Sequence, residues 1–166
     1  MKNLFVVLLI VTSANVFAQD KIENGIFKTD MRNGLGEKIP MNFVLDSLTI
    51  EKINKHPSYL DWDNTVFSNP KNAEYIEKNK NKTHLEMFLM GKTAIGSHQV
   101  EYSLKIPNSY TPLQSENNRI YVSEGGEIVI RYAIKAQNSY GNFLYQTAVC
   151  YVKWNKGETV TEVLVY

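Results

Sequence analysis

The chain has 166 residues, 18 Lys and Arg against 17 Asp and Glu, and 43% of it is hydrophobic. That length suits one ordinary domain, and the near-zero net charge excludes the basic footprint of a general nucleic-acid binder. The apolar content excludes intrinsic disorder, and a single Cys excludes both an internal disulfide framework and a cysteine-based zinc site.

Residues 1–18 read as an export signal. Lys2 and Asn3 form a short basic start, Leu4 to Val11 is an unbroken apolar run, and Val16-Phe17-Ala18 places small residues three and one before a cut. The apolar run is far shorter than the roughly 18–20 residues a transmembrane helix needs. Cleavage after Ala18 leaves a mature chain that starts at Gln19 and has no transmembrane helix. The expected destination is the periplasm or the exterior. In such an oxidising compartment the lone Cys150 has no intramolecular partner, and its apolar neighbours mark it as a buried thiol.

Residues 19–37 are Asn- and Lys-rich and read as a flexible N-terminal segment, with a turn at Asn33-Gly34-Leu35-Gly36. Residues 38–166 read as a single β-rich domain. Within Met41 to Ile53 the pattern is ambiguous: Phe43, Val44 and Leu45 suit a strand, while Leu45, Leu48, Lys52 and Ile53 suit a short helix.

The segment Asp61-Trp62-Asp63-Asn64-Thr65 resembles the first motif of the haloacid-dehalogenase-type phosphotransferases, Asp-x-Asp-x-Thr. That resemblance implies Asp61 as nucleophile and Asp63 as general acid/base, with Mg²⁺ between carboxylates and phosphate. The flanking sequence departs from the family: Asn54 to Tyr59 is not a buried apolar strand, and no Asp follows Asp63 to complete the metal site. The segment is therefore expected as a polar turn with Trp62 and Phe67 packing inward. A secreted metal-assisted hydrolase using Asp61 and Asp63 is the alternative it leaves open. As a calcium loop the same segment lacks the Gly at position six and the Glu at position twelve.

Ser68-Asn69-Pro70 reads as the start of a short helix, with Pro in its first turn and Ala73 and Ile76 facing inward. From His84 the period changes to two. His84 to Met90 is expected as a strand, paired by a hairpin around Lys92 to Ile95 with a second strand carrying Val100, Tyr102, Leu104 and Ile106 on one face. That register holds His84 and His98 about 17 Å apart, too far to share a metal. Arg119 to Ser123 and Glu127 to Ala136 flank the Gly125-Gly126 turn, with Ile128, Ile130, Tyr132 and Ile134 on one face. Phe143 to Trp154 is apolar on both faces, which predicts a strand covered on both sides. A turn at Asn155-Lys156-Gly157 leads to a last strand ending at Tyr166.

The predicted fold is thus mainly β: an antiparallel meander forming a β-sandwich, a class that includes immunoglobulin-like architectures, with one or two short helices in the N-terminal half. A small outer-membrane β-barrel is a further alternative, since the chain ends in an aromatic, but Glu162 would then face lipid.

No nucleophile elbow, phosphate loop or dinucleotide fingerprint is present, and no catalytic residue, metal ligand or cofactor is assigned. One tripeptide occurs in two loops, Asn108-Ser109-Tyr110 and Asn138-Ser139-Tyr140. Asn, Ser and Tyr are the residues of adaptable recognition loops. Asn108, Tyr110, Asn138 and Tyr140 are therefore the candidate binding residues of a non-enzymatic module for a protein or glycan partner.

Overall fold

A computed structural model describes residues 21–152 and 161–166. The export signal, Trp154 and the Asn155-Lys156-Gly157 turn lie outside them. The chain runs β1 (Lys21–Glu23), β2 (Ile26–Arg32), β3 (Lys38–Val44), α1 (Ser47–Lys55), α2 (Pro57–Ser68), a 3₁₀ turn (Pro70–Asn72) and α3 (Ala73–Lys78). There follow α4 (His84–Ser103), a second 3₁₀ turn (Pro107–Ser109), β4 (Thr111–Leu113), β5 (Arg119–Val122), β6 (Ile128–Gln137), β7 (Phe143–Val152) and β8 (Thr161–Val165).

All the described strands belong to one open sheet in the order β1-β2-β3-β5-β6-β7-β8, with β4 also paired to β6. The expected meander holds from β5 to β8, where every neighbouring pair is antiparallel. The expected sandwich does not form, because no second sheet exists among the described strands and helices cover the apolar face instead. Nor do these strands close into a barrel, since β1 and β8 stand at opposite ends of the order. Residues 21–32, expected within a flexible segment, instead supply β1 and β2, and Phe27 lies in the core.

The largest correction concerns residues 84–103. They form one helix, α4, where two strands were expected. Thr83 caps it: its side chain accepts from the Glu86 N–H while the Glu86 carboxylate accepts from the Thr83 N–H, a reciprocal capping box. The other Glu86 oxygen accepts from the Ile22 N–H, so one buried carboxylate starts α4 and ties β1 to it. Glu86, Leu89, Thr93, Gly96, Ser97 and Val100 are buried at spacings of three and four, and that stripe lies on the sheet. At Gly96 the approach is close: a Cβ there would stand 3.5 Å from both Cys150 and Ile130.

Strand alternation supplies the other half of the core. Phe27, Met41, Phe43, Ile120, Ile128, Ile130, Tyr132, Ile134, Ala148, Cys150 and Val152 are buried under the helices. The ambiguous stretch from Met41 to Ile53 is both things in turn, since β3 ends at Val44 and α1 begins at Ser47. Asp46 caps α1 by accepting from the Thr49 N–H. Around Pro70 a 3₁₀ turn leads into α3 as expected, with Ile76 half-buried but Ala73 exposed.

Three hairpins share one turn design. In Asn33–Glu37, Ser123–Glu127 and Asn138–Asn142 the first residue's N–H donates to the fifth residue's carbonyl, and Gly at position four has positive φ. The side chain at position one, Asn or Ser, accepts from the fifth residue's N–H. This is a three-residue loop with Gly in the left-handed position. Buried Asn118 stitches the sheet where β4 and β5 share an edge of β6: it donates to the Leu113 carbonyl and accepts from the Ala133 N–H, and its own carbonyl accepts from the Val44 N–H.

Gly34 sits where the β2–β3 hairpin meets the Pro107–Ser109 turn, and a Cβ there would lie 2.4 Å from the Pro107 carbonyl oxygen and 2.7 Å from Asn108 backbone atoms. Gly34→Ala is expected to cost about 1–3 kcal/mol of stability, read by urea denaturation. Gly91→Ala, where a Cβ meets nothing within 4 Å, is expected to leave stability unchanged or raise it.

Candidate functional site

The two Asn-Ser-Tyr loops come together at one end of the sheet. The Ser109 hydroxyl accepts from the Gln137 N–H and donates to the Ile106 carbonyl, so the Pro107–Ser109 turn is tied beside the β6–β7 hairpin. The Gly34 N–H donates to the Tyr110 carbonyl and brings the β2–β3 hairpin to the same end. Against that hairpin, α4 leaves a cleft of about 300 Å³ lined by Asn33, Gly34, Ser97, His98 and Glu101 among others.

The four candidate residues do not share one role there. Tyr110 is 1% exposed. Its hydroxyl lies 2.9 Å from Ser97 Oγ and 3.1 Å from the Tyr132 hydroxyl, a buried polar chain under the cleft. It is a core residue and not a surface contact. Asn138 spends its side-chain oxygen on the Tyr140 and Asn142 N–H groups, so its chemistry belongs to the turn. Asn108 is exposed, and Tyr140 stands 87% exposed at the hairpin tip.

Ser97 Oγ is engaged by Tyr110, while His98 packs edge-on against Tyr102 with ring centroids 4.4 Å apart. His84 and His98 lie on α4 about 21 Å apart at the rise of an α-helix. Asp61 and Asp63 lie on α2 and not in a polar turn, about 200° apart around the helix axis. Asp63 Oδ1 sits 2.6 Å from His84 Nδ1, and His84 stacks on Phe67. Trp62 packs on Phe67, Tyr59 and Phe88, so the inward packing expected of Trp62 and Phe67 occurs on a helix. Among the described residues no group of three His, Cys, Asp or Glu could hold a metal ion.

A second surface was not anticipated. Among the described residues no helix lies over the sheet face opposite α4. Register across five strands aligns Val44, Arg119, Arg131, Val149 and Leu164 in one row. Tyr121, Val129, Tyr151 and Glu162 form the next row. Lys135 faces Tyr145, and Tyr166 pairs with Thr147 through two backbone hydrogen bonds. Tyr145 is 75% and Tyr166 65% exposed, with Phe143 beside them. Lys135 Nζ lies 4.3 Å from the Phe143 ring centroid and 5.9 Å from that of Tyr145. The apolar second face of β7 carried this signal in the sequence. The expected cover on both sides of β7 is found at Val149, which is buried, and not at Phe143 and Tyr145, which are exposed.

Burial pushes the Cys150 thiol up from an ordinary value of 9.0 to about 12, with a hydrogen bond to Tyr132 pulling the other way. Burial likewise raises the Tyr110 and Tyr132 phenols. These groups favour folding in their protonated forms, fully so below the pH at which the unfolded chain ionises. Stability is expected to fall as pH rises from about 9 toward 12, measured by denaturant midpoints across that range. At neutral pH Cys150 is expected to resist iodoacetamide until denaturant is added. Tyr110→Phe leaves the Ser97 and Tyr132 hydroxyls short of a partner and is expected to cost about 1–3 kcal/mol. Tyr140→Ala is expected to change stability by less than about 0.5 kcal/mol. No family model, curated protein or solved structure matches the chain, so its function is read from its own residues alone.

Proposed function

We propose that this is an exported, non-enzymatic binding module whose uncovered sheet face, continued by Tyr140 at the β6–β7 tip, receives a glycan or protein partner. The observation that carries this reading is one-sidedness. Helices bury one face of the sheet, while the other presents Tyr145, Tyr166, Phe143, Leu164 and Val44 to solvent. An exposed apolar patch on a rigid sheet, rimmed by polar groups, is characteristic of an interaction surface. Aromatic rings supply large contact area at low entropic cost, and Lys135 holds two of them from one side. No helix among the described residues is long and apolar enough to cross a membrane. Export rests on the character of residues 1–18.

Titration of the protein against a panel of neutral and acidic oligosaccharides, followed by intrinsic fluorescence, tests the surface. At least one class is expected to bind, and Tyr145→Ala combined with Tyr166→Ala is expected to weaken it about tenfold at unchanged thermal stability. Unchanged affinity in that double variant would remove the sheet face from the reading.

A further inference from the structure

We infer that Arg119 and Arg131 form an anion-binding site at the centre of the uncovered sheet face, and that its ligand is a carboxylate-bearing polysaccharide. This rests on the sheet face being the binding surface, and it names the partner's chemistry. Arg119 and Arg131 are direct cross-strand partners on β5 and β6. Like charges placed directly opposite are destabilising, so the pair is a cost to the fold by itself.

Of the other cations of this face, Lys135 lies over the Phe143 and Tyr145 rings and three more are engaged by oxygens. Lys28 pairs with Glu23 at 3.1 Å, Lys38 pairs with Asp30 at 3.6 Å, and Arg32 donates to the Gly36 carbonyl. Arg119 has only a long contact from Nε to the Asn117 carbonyl, and Arg131 makes no ion pair or side-chain hydrogen bond among the described residues. Arg119 and Arg131 line a cleft of about 380 Å³ with Val44, Asp46, Ile120 and Tyr121. Asp46 uses Oδ1 to cap α1, and Glu162 stands in the next row, opposite Tyr151, two strands from β6. Positive charge is therefore locally in excess where the rest of the chain is balanced.

Two planar forks side by side suit a carboxylate, which accepts paired N–H donors in one plane. Tyr121 and Tyr151 lie in the adjoining row, with Tyr145 and Tyr166 beyond it, and such rings stack on the apolar faces of pyranose sugars. Single-stranded nucleic acid would also stack, but it carries a phosphate on every unit and is held by many cations along a groove. Here the close-set cations are one pair, with Lys135 four residues along β6 over the Phe143 and Tyr145 rings, which matches a polymer whose charges are met one at a time among rings.

The test uses the full-length chain in calorimetric titrations with three probes: a galacturonate hexamer, an uncharged glucose hexamer and a six-nucleotide oligothymidylate. The galacturonate hexamer is expected to bind at least tenfold more tightly than either other probe. Arg131→Gln is expected to weaken it tenfold or more, while thermal stability stays level or rises because the like-charge pair is relieved. Arg131→Lys, which keeps the charge and loses the fork, is expected to recover only part of the affinity. Equal binding of galacturonate by wild type, Arg119→Gln and Arg131→Gln would overturn the site, as would binding of oligothymidylate with equal strength. No binding of galacturonate would overturn it too. If both sugar hexamers bind alike and only the Tyr145→Ala, Tyr166→Ala variant weakens them, the anion site fails while the sheet-face reading survives.

Discussion

The packing of α4 across one face of the sheet is the constraint on which the remaining structure depends. Strands β2, β3, β5, β6, β7 and β8 alternate, and alternation produces two faces of which one must leave water. The helix meets that need with a stripe spaced by threes and fours, and Gly96 lets its backbone come down onto Cys150 and Ile130. At that close approach the groups around Gly96 are apolar or hydrogen-bonded to one another. Cys150, Tyr110 and Tyr132 therefore persist only as protonated, mutually satisfied groups.

Covering one face also decides the other. With the helices committed to a single side, the outward row keeps Val44 and Leu164 exposed at its ends while Val149 within it is buried. The Arg119–Arg131 pair stands directly opposed across β5 and β6 on this face, an arrangement unfavourable within the isolated fold. The loop end works differently. There Asn33 and Asn138 are consumed by the turns they make, so much of its polar composition serves the backbone. Tyr140, Asn108 and Leu35 are exposed at that end.

How the sequence could be read depended on the range of each signal. Ile128, Ile130, Tyr132 and Ile134 were assignable to the core because two-residue alternation is local and strong, and all four are buried. Residues 84–103 were misread because a run such as Leu85, Met87 and Leu89 fits period two as well as it fits a helix. The deciding signal was Thr83-x-x-Glu86, a capping box legible in the sequence and outweighed by a false alternation. Asn24-Gly25 was likewise available: both residues take positive φ in the β1–β2 turn, which turns a supposedly flexible stretch into a hairpin. Tyr110 could not be placed from sequence, because its loop composition says nothing of the Ser97 and Tyr132 hydroxyls that draw it inward.

By itself the sequence determined the strand faces of β6 and β7, the places of the turns between β5, β6 and β7, the absence of a disulfide framework and the buried character of Cys150. Each of those follows from residue type and short-range spacing. Only the tertiary structure decided that helices rather than a second sheet cover the core, that Tyr110 is buried while Tyr140 is exposed, and that two arginines stand opposite one another across β5 and β6. Those outcomes depend on register and on which elements meet in space. Both are set by the summed burial of distant segments, which no local window of sequence contains.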